Sequence, residues 1–158
     1  MNYKDVYEKL REQFGEAILE LVEEEHSDPF INVAPEQITD ICLYLRDEDE
    51  MQFNYLTLLS GMDYEDSLGV VYHLYSFKHD HSIVLKVKLD REDPKVPTVE
   101  RVWRTADWHE RETYDMYGII FEGHHNLIRI LCCYDWQGYP LRKDYKVQED
   151  YHGIRVPY

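Results

Sequence analysis

Between Thr105 and Tyr145 the chain gathers the side chains best able to do chemistry: His109, Glu110, Glu112, Asp115, His124 and His125, then the adjacent thiols Cys132 and Cys133. Histidines and carboxylates are the ligand types of zinc and iron sites, which often place two ligands three or four residues apart on a helix. His109 and Glu112 have that spacing, but Arg111 sets a permanent cation beside them. The H-E-x-x-H arrangement is also absent, because Arg-Glu-Thr follows His109-Glu110. Salt bridging is the competing use of such a helix face, and no metal site is assigned. A thiol nucleophile made from Cys132 or Cys133 with His124 or His125 lacks a neighbour that would lower the thiol pKa. Neither glycine-rich phosphate cradle, G-x-G-x-x-G or G-x-x-x-x-G-K-[ST], occurs. Two adjacent cysteines fall short of the roughly four thiolates an iron–sulfur cluster needs. With Cys42 they make an odd number without C-x-x-C spacing, and reduced thiols are expected.

The element that must position these groups is a helix. Thr105 suits its N-cap, Asp107 its first turn and Gly118 the position just past its end, so the spacing predicts a helix over 106–117. Trp108, Arg111, Glu112 and Asp115 then share one face, with Glu110, Tyr114 and Tyr117 on the adjacent side. Beyond Gly118 the chain is broken by Gly123, Gly138, Pro140, Gly153 and Pro157, yet it carries Ile119, Ile120, Phe121, Leu127, Ile128, Ile130, Leu131, Trp136 and Leu141. Disordered tails are poor in such residues, and long irregular segments in compact domains are usually functional. Residues 118–158 are therefore expected to form an extended arm ordered on another protein, after a domain over 1–117. Arg129, Arg142 and Lys143 are expected to meet carboxylates there, and deleting 119–158 to leave the domain folded.

The 158 residues carry a formal net charge of −15, which excludes a nucleic-acid partner, since phosphate binding needs clustered Lys and Arg. Residues 1–70 hold 18 acidic and 4 basic side chains, residues 71–158 hold 14 and 13, so the second half is nearly neutral and suited to an interface. No apolar run approaches the roughly 20 residues of a membrane-spanning helix, and MNYKDVYEKL lacks a signal-peptide core. Membrane contact is expected only through partners. Residues 3–14 read as a helix on Val6, Leu10 and Phe14. Residues 17–25 fit a helix or a strand, and the HSDP turn before FINV favours a hairpin. Pro35 opens a second helix striped by Ile38, Ile41, Cys42 and Leu45 and ending within 47–50. Strands are expected over 51–60, 68–77 and 82–90, the last alternating Ile83, Leu85, Val87 and Leu89 against Val84, Lys86 and Lys88. Short links make them antiparallel neighbours. Pro94 and Pro97 lead out of the sheet. The expected fold is α+β: an antiparallel (mixed) sheet with helices on one face, followed by the C-terminal arm.

ERETYDMYGIIFEGHHNLIRIL (110–131) and DWQGYPLRKDY (135–145), 33 residues in two blocks, closely resemble the signature of the 30-kDa subunit of respiratory complex I, the proton-pumping NADH:quinone oxidoreductase of bacteria. His125 stands where that signature usually has proline. The resemblance implies a peripheral-arm subunit at the cytoplasmic face of the cell membrane, with no catalytic residue and no flavin or iron–sulfur cluster of its own. NAD, FMN, iron–sulfur clusters and quinone would belong to the complex. The 30-kDa subunit would brace two neighbours, the hydrogenase-like subunit that forms the quinone site and a small iron–sulfur subunit. Related subunits serve membrane-bound hydrogenases and complexes fed by ferredoxin or coenzyme F420. The partner-binding residues this implies are Trp108, Glu110, Arg111, Glu112, Asp115, Tyr117 and Gly118 on the helix, then Phe121, His124 and Arg129. Trp136, Pro140, Leu141, Arg142, Lys143, Asp144 and Tyr145 complete the set in the second block. The competing class is a stand-alone metal-dependent or thiol enzyme using His109, Glu112 and His124.

Overall fold

A computed structural model describes residues 2–23 and 28–156. Helix α1 (Tyr3–Phe14) starts where Asp5 accepts the Asn2 N–H, buries Val6 and Leu10 one turn apart, and ends at Gly15, whose φ of +55° suits glycine. Strands β1 (Ile18–Val22) and β2 (Phe30–Val33) pair antiparallel, as the hairpin pattern predicts, although most of the HSDP turn lies outside the described residues. After a 3-10 turn at Pro35–Gln37, helix α2 (Ile38–Asp47) buries Ile38, Ile41, Cys42 and Leu45.

The strand expected from residue 51 begins later, as β3 (Tyr55–Asp63). Residues 51–54 serve α2 instead. The Phe53 N–H donates to Leu45 O, Gln52 takes a φ of +41°, and Met51 and Phe53 are fully buried. Their carbonyls accept from His81 Nε2 and Trp103 Nε1 at 2.9 and 3.0 Å, so the apolar pair closes the helix end and cannot join a ladder.

β3, β4 (Ser67–Ser76) and β5 (His81–Asp90) form an antiparallel meander, and β2 docks on β5 in parallel, giving the order β1-β2-β5-β4-β3. The alternation in β5 is as expected, with Ile83, Leu85, Val87 and Leu89 in the main core alongside Leu10, Ile41 and Leu45 from the helices. Val84 joins Phe30 and Val71 in a small cluster on the opposite face, where the Lys86 ammonium lies 3.4 Å from the centre of the Phe30 ring. Pro94 and Pro97 bracket β6 (Lys95–Pro97), which leaves the main sheet to pair in parallel with β7 (Ile120–Glu122) on the far side of helix α3 (Ala106–Tyr117). A last hairpin, β8 (Asp150–Tyr151) and β9 (Ile154–Arg155), turns through His152 and Gly153, both at positive φ.

The β6–β7 pair bears on the domain boundary expected at residue 118. Ile119 and Phe121 are buried in the main core at 0% and 2% exposure, so the chain stays within the domain through β7. Cutting before Ile119 would remove two core side chains and leave β6 unpaired, which does not suit the expectation that such a deletion leaves the domain intact.

Candidate functional site

Helix α3 has the expected bounds and its expected stop: Gly118 takes φ +74° and its N–H donates to Tyr114 O. Its start differs. Thr105 has helical φ and ψ and makes no capping hydrogen bond, because a turn over Val99–Trp103 runs directly into the helix and the Ala106 N–H already donates to Trp103 O. The expected single face also divides. Trp108 is 63% exposed with the Arg111 guanidinium 5.1 Å above its ring, and Glu112 is exposed, whereas Glu110 and Asp115 are wholly buried. Those two buried carboxylates tie the helix to the segments around it.

Glu110 faces the β6 side. Its carboxyl accepts from Thr98 Oγ1 at 2.5 Å and from the Val99 N–H at 2.7 Å. Burial, with Glu100 and Asp107 nearby, pushes its pKa up to about 8. Glu100 accepts the His125 N–H at 3.1 Å and His125 Nδ1 at 2.6 Å. Against the penalty of burial, these bonds hold Glu100 below its ordinary value. The His124 side chain is completely buried, its Nε2 lying 3.3 Å from Asp107 Oδ1, 3.5 Å from Glu100 Oε2 and 3.9 Å from Glu110 Oε2. Of the six candidate ligands in the sequence, only His124 and His125 come together with carboxylates at this point. His109 and Glu112 point elsewhere, and Glu100, which no local pattern marks, takes their place.

Asp115 faces the arm. Its Oδ2 accepts the successive N–H groups of Ile130, Leu131 and Cys132 at 3.0, 2.7 and 2.9 Å, while Arg129 Nη1 donates to Oδ1 at 2.8 Å. Burial disfavours its charge, yet these four donors hold the carboxyl below its ordinary pKa. Arg129 also donates to Gly138 O, and Arg142 Nε donates to Tyr117 O at 2.6 Å, satisfying a free carbonyl at the end of α3. The two guanidinium groups lie 5.1 and 4.9 Å from the ring of Tyr139, which covers Gly118. Further along, the Lys143 N–H and Nζ donate to Asp63 and Glu65, and Arg91 bridges Asp63 and Asp144. The carboxylates expected on another protein for Arg129, Arg142 and Lys143 are thus supplied by this chain.

Gly118→Ala tests this seat. A Cβ there would lie 2.4 Å from the Tyr139 ring, on a backbone whose left-handed φ alone costs about 1–2 kcal/mol for an L-residue. The expected result is a lower melting temperature together with faster tryptic cleavage at Arg129 and Arg142.

The arm's apolar side chains turn outward. Ile128, Leu131, Tyr134 and Leu141 are 51–93% exposed, and Trp108 stands beside Ile128 through Arg111, whose Nε donates to Ile128 O. Trp136, Pro140 and Tyr145 line a cleft of about 290 Å³ with Val147 and Tyr151, and the Trp136 Nε1 and Tyr145 OH are buried without partners. A thiol nucleophile finds no support: burial and Asp115 raise the Cys132 pKa, and the imidazole of His124 is enclosed among carboxylates. Among the described residues no helix is long and apolar enough to cross a membrane.

Residues 31–151 match the family described as the 30 Kd subunit of respiratory-chain NADH dehydrogenase. An NADH-quinone oxidoreductase subunit of Chloroherpeton thalassium is 50% identical over 155 residues, covering 96% of this chain but only 64% of that protein, just under two thirds. Its namesake in Chlorobium phaeobacteroides is 49% identical over 156 residues, covering 96% of this chain and 93% of the relative. Among solved structures, the trypsin-resistant fragment (1-134) of Nqo5 is 27% identical with a TM-score of 0.66, covering 80% of this chain and all of the fragment. A chain of an archaeal membrane-bound sulfane sulfur reductase shares the fold, with a TM-score of 0.71 at 23% identity, covering 91% of this chain and 85% of its own length.

Proposed function

The chain belongs to the family of 30 kDa subunits of the respiratory-chain NADH dehydrogenase, and from that premise we propose that it is a non-catalytic subunit of the peripheral arm of a proton-pumping NADH:quinone oxidoreductase. It braces the hydrogenase-like quinone-site subunit and the small iron–sulfur subunit at the cytoplasmic face of the membrane. NADH, FMN, iron–sulfur clusters and quinone are handled by the other subunits. The observation that carries this reading is the build of the arm. Its charged groups are spent on holding residues 129–145 against α3 and the β3–β4 turn, which leaves Ile128, Leu131, Tyr134 and Leu141 outward on a rigid support. Exposed apolar and aromatic side chains on an ordered backbone bind a partner at a low cost in conformational entropy. Trp108, Arg111 and Glu112 extend the same surface along α3. Trp136, Pro140 and Tyr145 offer a cleft for a partner side chain. Tyr117, Gly118 and Phe121 act from beneath, as the seat of the arm. A second reading, the equivalent subunit of another respiratory membrane complex, is favoured by the shared fold of the sulfane sulfur reductase chain.

The test replaces Leu131 and Tyr134 with Asp in the full chain, and separately removes residues 146–158, which lie beyond the core and the arm's ion pairs. The amount of assembled complex is measured together with the quinone reductase rate per assembled complex. Assembly is expected to fall more than tenfold for the double variant and several-fold for the truncation, with the rate per complex unchanged. Normal assembly of the double variant would sink the proposal. Full assembly with lost turnover would move these residues from bracing to the quinone chemistry.

A further inference from the structure

We propose that Glu100, Asp107, His124 and His125 form a binding site for one divalent transition-metal ion, zinc by the character of its donors. This site stands apart from the partner-binding surface. The four residues come from the turn before α3, from its first turn and from the bend after β7, and each offers one ligand atom within 4.8 Å of the others.

Three features distinguish this group from an ordinary ion-pair cluster. His124 is wholly buried and aims Nε2 into the gap, yet its nearest oxygens are Asp107 Oδ1 at 3.3 Å and Asp107 O at 3.4 Å. Both lie beyond the roughly 2.7–3.2 Å of a good N–H···O bond. Asp107 Oδ1 is itself buried with no hydrogen-bond partner. The separations of Nε2 from Asp107 Oδ1 and Glu100 Oε2, 3.3 and 3.5 Å, match the edges of a tetrahedron of ligands each about 2.0–2.1 Å from a central zinc. Two imidazoles and two carboxylates are a borderline donor set, carrying two negative charges that a divalent ion neutralises. His125, with its side chain 58% exposed, gives the ion a way in from solvent. The His125 N–H on Glu100 Oε1 supplies the outer contact that orients a ligating carboxylate.

Loading rearranges two protons and releases none from the imidazoles. The Asn126 N–H now donates to His124 Nδ1 at 3.0 Å, which puts the imidazole proton on Nε2. The ion takes the Nε2 lone pair, the proton moves to Nδ1, and the Asn126 N–H, on an exposed residue, turns to water. At His125 the ion takes Nδ1 in place of the contact with Glu100, and the proton moves to the solvent-facing Nε2.

The experiment uses the full chain with Cys132 and Cys133 changed to serine, so that thiols cannot bind the probe. Zinc is added to the metal-free protein, excess is removed by gel filtration, and bound metal is counted. Cobalt(II) is added to a second sample and its visible absorption recorded. One zinc per chain, a melting temperature that rises with zinc, and the intense ligand-field bands of four-coordinate cobalt are expected. Asp107→Asn and His125→Ala should each weaken zinc binding by about 10–100-fold or more. His125→Ala is at a side chain exposed enough to leave the metal-free melting temperature in place. Failure to retain zinc, or unchanged affinity in both variants, overturns the site.

Discussion

Asp115→Ala is expected to release the arm. The substitution strips four donors from one buried carboxylate: three consecutive backbone N–H groups, and Arg129, whose guanidinium would stay largely buried without its counter-charge. Breaking such a buried network typically costs about 3–5 kcal/mol. Here the loss should fall on the arm before the domain, because residues 130–132 are half-buried or exposed while the sheet core lies elsewhere. Hydrogen exchange at the Ile130, Leu131 and Cys132 amides measures it, with a rise of a hundredfold or more expected. Acid should act in the same direction. The folded carboxyl has a pKa below the unfolded value of about 3.9, so its contribution is complete above that value and is lost as pH falls through the folded pKa. Exchange at those three amides that stays slow in the alanine variant would mean that Asp115 does not hold the arm.

Glu110 should separate size and shape from charge. Glu110→Ala leaves a cavity and strands a buried Thr98 hydroxyl and Val99 N–H, for a loss of about 3 kcal/mol or more. Glu110→Gln keeps the volume: its carbonyl accepts from Val99 and its amide donates to Thr98 Oγ1. Because burial already favours the neutral carboxyl near neutral pH, glutamine should cost less than about 1 kcal/mol. Denaturant midpoints of the two variants decide the matter, and equal losses would show that the ionised carboxylate is what the fold requires.

These two carboxylates mark the limit of what the sequence could say. The bounds of α3 were legible because its stop is local: only a glycine comfortably takes the left-handed φ found at 118. The inner face of β5 was legible because alternation is local as well. The arm's apolar content was equally plain, but what its charges hold was not. Lys143 and Asp63 are 80 residues apart, and no spacing rule connects them. The same holds for Glu100, which meets His125 only after β7 has doubled back beside β6. The late start of β3 has a related cause, since MQF has the composition of a strand and is taken up in covering the end of α2. The helix face of Trp108, Arg111, Glu112 and Asp115 is sound as geometry and is divided by burial, which periodicity alone does not report.

The parallel pairing of β2 with β5 also sets an order of events. The meander β3-β4-β5 closes through short turns and can form early, whereas β2 has no edge to join until β5, some fifty residues later in the chain, is in place. Ile31 and the apolar faces of α1 and α2 therefore wait uncovered while the ribosome is still making the strand that will receive them. A weakened β4–β5 pairing would slow folding itself, whereas a weakened β1–β2 hairpin would chiefly hasten unfolding. In a cell, the first variety of damage presents the chain to chaperones and proteases before it has a surface with which to meet a partner.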